Sequence, residues 1–199
     1  MKLYIAPNTC SLSPLIALEE SGLPFESIRV DMASRKLPDG TPFTKVSPKG
    51  YVPALIMEDG NLLTEGAVMI QYIADRAPEK KLAPKYGTLE RWRLQEWLNF
   101  IATELHKGVS PFLHKDAPDT YRAFIAERLL QRMTVLAEGL GDKPYLMGDF
   151  TVADGYAFYV MRAWDRLVKK PLPDTLMHWK DRIAARPAVK AALKKESEL

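Results

Sequence analysis

Cys10 is the only cysteine of the 199-residue chain, and its setting makes it the first place to look for chemistry. It follows Lys2–Ala6, a short apolar run that reads as a strand. It opens Ser11–Ser21, which reads as a helix with Gly22 as its C-cap. A helix start presents unpaired backbone N–H groups and the positive end of the helix dipole. A thiol there is expected to have a lowered pKa and a larger thiolate fraction. The window Cys10-Ser11-Leu12-Ser13 has the spacing of a redox Cys-x-x-Cys pair, with Ser13 in place of the second thiol. Such a thiolate can attack a disulfide but needs an external thiol to resolve the product. By residue type alone, Cys10 also fits a small buried hydrophobe.

Three further groups could act with it. Thr64-Glu65-Gly66 opens a helix over 65–76, where free N–H groups favour a carboxylate and the Glu65 side chain can take an amino group. Together they suit the zwitterionic end of an amino acid, although a plain capped helix start fits as well. Val52-Pro53 precedes a strand, where the missing N–H of Pro53 is tolerated. X-Pro bonds are cis in only about 5% of cases; a cis bond here would turn the Val52 backbone outward. On the helix expected over 88–110, Asn99, Thr103 and His106 stand at i, i+4 and i+7, with Lys107 adjacent. At ~100° per residue they lie opposite the Leu94, Ile101 and Leu105 stripe. An imidazole and an ammonium facing a thiolate would stabilise it or donate hydrogen bonds; a solvated helix face is the alternative. Thr151-Val152-Ala153-Asp154 reads as a capping box with Asp for the usual Glu, preceded by the apolar Phe150, and is structural.

These residues need elements to hold them. Residues 1–77 read as β-α-β-loop-β-β-α: a strand, the Cys10 helix, a weak strand over 25–30, a Lys-, Pro-, Asp- and Gly-containing loop over 34–50, a hairpin and the Glu65 helix. The hairpin is signalled by Asp59-Gly60 between apolar runs. Residues 78–87 hold Pro78, Pro84 and several lysines and read as a linker. From 88 to 199 only helical patterns follow: 88–110, 118–138, 151–168, 173–185 and 187–195. The fold class expected is α/β followed by all-α.

Composition narrows the function. A chain with 47% hydrophobic and 27% charged residues is an ordinary globular protein. Of 28 basic and 25 acidic residues, 7 and 9 fall in 1–77, so the excess of positive charge lies further on, interleaved with acids. Nothing there suits nucleic acid as the main partner. One cysteine excludes an internal disulfide and Cys-based zinc sites, and three scattered histidines, of which His114 and His178 lack companions, offer no metal site. No apolar run approaches the ~18 residues of a membrane span, and no signal peptide is evident. The expected compartment is the reducing cytoplasm.

Taken in order, the words Met1-Lys2-Leu3-Tyr4, Cys10-Ser11-Leu12-Ser13, Ser47-Pro48-Lys49-Gly50-Tyr51-Val52-Pro53, Leu63-Thr64-Glu65-Gly66, Glu96-Trp97-Leu98-Asn99-Phe100, Glu104-Leu105-His106-Lys107-Gly108 and Gly148-Asp149-Phe150-Thr151-Val152-Ala153-Asp154 resemble the glutathione S-transferase family, specifically its bacterial beta class. The resemblance runs from Met1 to about Ala192. It implies a thioredoxin-like N-terminal domain and an all-helical C-terminal domain, paired as a homodimer. Cys10 matches the cysteine beside the glutathione sulfur, often in a mixed disulfide with it. Val52 matches the residue whose backbone pairs with the cysteinyl part, ahead of a cis proline at Pro53. Glu65 and Gly66 match the γ-glutamyl binders, and Arg35 a position, often Lys, that contacts the glycyl carboxylate. Asn99, Thr103, Glu104, His106 and Lys107 match helical positions near the thiol, some of which serve the partner subunit. Asn8 stands for a frequent Gly, and Tyr51 for a frequent Gln. The implied activity is conjugation of glutathione, as co-substrate and with no other cofactor, to small electrophiles, with disulfide exchange through Cys10. The rivals are a dedicated glutathione-dependent oxidoreductase or dehalogenase and a non-catalytic binding protein of the same fold.

Overall fold

Alternation along the first strand sets up two layers. In the computed structural model, which describes residues 1–198, β1 (Lys2–Ile5) turns Leu3 and Ile5 to one face and Tyr4 to the other. It pairs in parallel with β2 (Glu26–Arg29), Leu3 opposite Ser27, and antiparallel with β3 (Ala54–Ile56), Leu3 opposite Leu55. β3 continues antiparallel into β4 (Leu62–Leu63), so the sheet order is β2-β1-β3-β4. This is the thioredoxin-like arrangement the resemblance implies. The β3–β4 turn forms where Asp59 and Gly60 place it: Asp59 Oδ1 accepts the Asn61 N–H at 3.0 Å, and Gly60 takes φ +84°.

The chain divides into two compact units. The first holds Met1–Leu82 together with the segment from Arg186 onward. Its helices α1 (Leu12–Ser21) and α2 (Gly66–Arg76) pack on each other and bury Leu12, Leu15, Leu18, Ile70 and Ile73. The opposite sheet face is covered by the 34–50 loop. That loop drives Phe43 into a cluster with Tyr4, Ala6, Val30, Val52 and Ala54, the Tyr4 and Phe43 rings 5.7 Å apart.

One helix departs from the sequence expectation of a helical domain running to 199. α8 (Pro187–Glu198) belongs to the first unit and packs on α1. Arg186 grips Glu20 with both Nε and Nη2, at 2.6 and 2.8 Å. Lys195 pairs with Glu19 at 2.6 Å and lies 4.3 Å from the Phe25 ring centroid. Glu196, 6% exposed, accepts the Asn8 N–H. No local signal in 187–198 could announce this, since the partners lie more than 160 residues upstream.

The second unit, Ala83–Ala185, is helical. α3 (Leu89–Phe100) passes into a π-helical stretch (Ile101–His106) and then the short α4 (Lys107–Val109); α5 (Asp119–Leu140), α6 (Val152–Leu167) and α7 (Asp174–Ala184) follow. α6 is the centre. Apart from Arg162, every residue from Val152 to Trp164 is buried, a wider apolar surface than the single stripe its spacing predicts. Both halves of the Thr151–Asp154 capping box form at its start. Two glycines permit close approach: a Cβ at Gly108 would sit 2.6 Å from Leu129 Cδ1, and one at Gly139 would sit 2.2 Å from Trp97 Cη2.

Candidate active site

Two groups of expected site residues assemble, one in each unit. In the first unit Cys10 is partly buried in the turn just ahead of α1, one residue before the N-cap Ser11. The turn is held from behind. Ser11 Oγ accepts the Ala6 N–H at 3.1 Å, and Thr9 Oγ1 stands 2.7 Å from both Ser11 Oγ and the Ala6 carbonyl. Asn8 sits at φ +62°, a left-handed conformation that Asn tolerates. The Cys10 thiol donates to the Val52 carbonyl, Sγ···O 3.4 Å. The Val52-Pro53 bond is cis.

Glu65 is the N-cap of α2 and takes φ +69°, ψ +107°. A non-glycine residue there costs on the order of 1–3 kcal/mol and persists only when its surroundings demand it. Its side chain does not cap the helix. Instead Glu65 Oε1 meets Lys49 Nζ at 2.7 Å. With side chains 53% and 67% exposed, that pair contributes at most about 1 kcal/mol. Gly66 follows against Pro53, whose Cγ lies 3.9 Å from where a Cβ would stand. Arg35, also at positive φ, lays its guanidinium beside Gly50.

In the second unit the π-helical stretch carries Thr103, Glu104 and His106, with Asn99 one turn before and Lys107 directly after. A π turn closes i→i+5 and rotates less per residue than an α turn, which breaks the phase on which the sequence expectation rested. Asn99, Thr103 and Lys107 are exposed, but His106 is not on a solvated face. Its Nδ1 lies 2.7 Å from the Tyr156 hydroxyl, and its ring meets Tyr156 and Tyr159 edge-to-face at 5.7 and 5.3 Å. Burial, aided by the Lys107 charge, lowers its pKa to about 4. His106 is therefore neutral near pH 7: it can donate a hydrogen bond but brings no positive charge to a thiolate. Glu104 pairs with Arg132 of α5 at 2.9 Å. Thr103, Glu104 and Lys107 line a groove of about 210 Å³ with Tyr121, Arg128 and Arg132.

Asp154 lies apart from these groups and stays structural. Its carboxyl takes the Leu146 and Thr151 N–H groups at 3.0 and 2.8 Å, while burial raises its pKa to about 6. Sequence reasoning missed Lys49 as the partner of Glu65, Glu196 behind Asn8, and Tyr156 as the partner of His106. In the sequence Tyr156 is only one of several apolar residues at helical spacing within 151–168, with Tyr159, Val160, Ala163 and Leu167. Among the described residues, no group of His, Cys, Asp and Glu could hold a metal ion, and no helix is long and apolar enough to cross a membrane.

Known proteins share this pattern from end to end. Residues 9–76 match the family description "Glutathione S-transferase, N-terminal domain" and residues 103–196 "Glutathione S-transferase, C-terminal domain". The chain is 40% identical over 199 residues to glutathione S-transferase GstA of Escherichia coli O157:H7, covering 98% of each. It superposes on a sphingomonad glutathione S-transferase complexed with glutathione with TM-score 0.95, at 39% identity and full coverage of both chains. A beta-class enzyme from Sphingomonas chungbukensis gives TM-score 0.92 at 38% identity, again with full coverage of both. The chain belongs to the glutathione S-transferase family, and its likeness to the bacterial beta class spans its whole length.

Proposed function

We propose that the chain transfers glutathione to small electrophiles and, as a second activity, exchanges disulfides through Cys10. The observation that carries this reading is the Cys10 thiol held 3.4 Å from the Val52 carbonyl, in a unit whose α2 begins at a backbone-strained Glu65. Glu65 and the first amides of α2 take the γ-glutamyl end of the tripeptide, Val52 pairs with the cysteinyl backbone, and Arg35 meets the glycyl carboxylate. A helix N-terminus and a neutral His106 N–H then favour negative charge on sulfur. Asn99, Thr103, Glu104 and Lys107 supply polar contacts from the helical unit or from a second copy in a homodimer.

In the transfer mode glutathione thiolate attacks the electrophilic carbon, the new S–C bond forms, and the leaving group departs with the electron pair. In the exchange mode Cys10 thiolate attacks the glutathionyl sulfur of a mixed disulfide. The other thiolate leaves, and Cys10 is left bonded to glutathione. A second glutathione thiolate then releases glutathione disulfide and restores Cys10. Both modes need thiols kept reduced, which fits a cytoplasmic enzyme.

Cys10→Ala separates the modes. Retention on a glutathione resin and turnover of an aryl halide are expected to persist at reduced rate. Reduction of a glutathione mixed disulfide falls to background, because no other thiol exists in the chain. Full exchange activity in the variant would contradict the role of Cys10. Failure of the wild type both to bind the resin and to turn over either substrate would contradict the whole reading.

A further inference from the structure

His106 is held more firmly than a residue contributing only packing needs to be. It lies in the π-helical stretch, and its Nδ1 is 2.7 Å from the Tyr156 hydroxyl. The Tyr156 and Tyr159 rings stand nearly perpendicular to the imidazole, at 76° and 87°. The two tyrosines are three residues apart on α6, so they share a face and grip one ring between them. Both are buried, at 4% and 6% exposure.

A neutral imidazole carries one proton on one of two nitrogens, and its hydrogen bond partner decides which. Two arrangements fit a 2.7 Å contact: the phenol donates to Nδ1, or Nδ1–H donates to the phenol oxygen. A phenol O–H is a far better acid than a neutral imidazole N–H, and an imidazole nitrogen is a far better base than a phenol oxygen. The O–H···N arrangement therefore wins, and the imidazole proton is left on Nε2.

We infer that Tyr156 is a positioning residue: its hydroxyl donates to Nδ1 and fixes His106 as the Nε2–H tautomer, so that Nε2–H is the one donor His106 offers to an anionic sulfur. This rests on the reading that His106 acts in glutathione transfer. The neutrality of His106 at pH 7 supports it, since an imidazolium would carry both protons and need no such selection. Without the phenol, both tautomers are populated, and only a fraction of molecules carry the N–H on Nε2.

The test is 15N NMR of the histidine-labelled full chain at pH 7, with the His106 signal assigned by its loss in His106→Gln. The wild type is expected to show a pyrrole-type Nε2 and a pyridine-type Nδ1. In Tyr156→Phe both shifts move toward averaged values, and kcat for conjugation falls about tenfold with KM for glutathione unchanged. A wild-type spectrum with the proton on Nδ1 overturns the assignment even if the variant does not fold. A variant with an unchanged tautomer also overturns it. Full turnover by His106→Gln overturns the role of His106 itself, whichever tautomer is seen.

Discussion

At Cys10 two influences oppose each other. The N-terminus of α1 favours the anion through its dipole, although its first amides are already engaged: the Ser11 N–H donates to Thr9 Oγ1 and the Leu12 N–H to the Thr9 carbonyl. The Val52 carbonyl, as acceptor of the S–H, favours the neutral thiol. In the proposed binding mode, a glutathione amide N–H that took this carbonyl would remove the acceptor that holds the proton, and would so couple binding to release of the thiolate. The sequence could place Cys10 near a helix start, because strand and helix are both strongly patterned there. It could not place the opposing carbonyl, which comes from 42 residues away. Glu65 was legible as a helix-start residue, but its left-handed backbone was not, because nothing in Thr64-Glu65-Gly66 demands it.

At the level of elements, close approaches decide how the helices can pack. Gly139 of α5 lies under the Trp97 ring of α3, with no room for a methyl group. In a free helix Gly→Ala would stabilise by about 1 kcal/mol. Here Gly139→Ala is expected to destabilise the protein by about 1–3 kcal/mol through overpacking, read as a lower urea midpoint. A variant more stable than wild type would show that the ring moves aside freely. Most helices were legible from their periodicity, to within three residues at each end. The span of the 88–110 helix was legible too, but the π turn inside it was not, because a π turn leaves the residue types unchanged while altering their phase. That is why His106, expected opposite the apolar stripe, is found against Tyr156 and Tyr159.

Across the whole molecule, two buried groups titrate in opposite senses over the same pH range. His106 has its pKa lowered from 6.5 to about 4, so the unfolded chain binds more protons between these values. Its contribution is complete above 6.5 and is lost as pH falls toward 4. Asp154 has its pKa raised from 3.8 to about 6, so the folded chain binds more protons. Its contribution is complete below 3.8 and is lost as pH rises through 6. Each shift is worth on the order of 3 kcal/mol, and the two nearly cancel. Single substitutions uncouple them. Relative to wild type, His106→Gln is expected to cost more at pH 6.5 than at pH 4.5, and Asp154→Asn more at pH 4.5 than at pH 6.5, by urea unfolding. Equal costs at both pH values would contradict the shifts. The order of strands and helices was legible along the chain, but the return of α8 to the first unit was not, since it depends on Glu19, Glu20 and Asn8, far away in sequence.

The most direct test is the rate at which native protein reacts with glutathione disulfide at pH 7, followed by intact mass and compared with the same chain unfolded in urea. With a single cysteine, any adduct reports Cys10. The account predicts one glutathionyl adduct, formed faster in the native state and saturating with glutathione disulfide concentration. A native rate no greater than that of the unfolded chain, rising linearly without saturation, would contradict it.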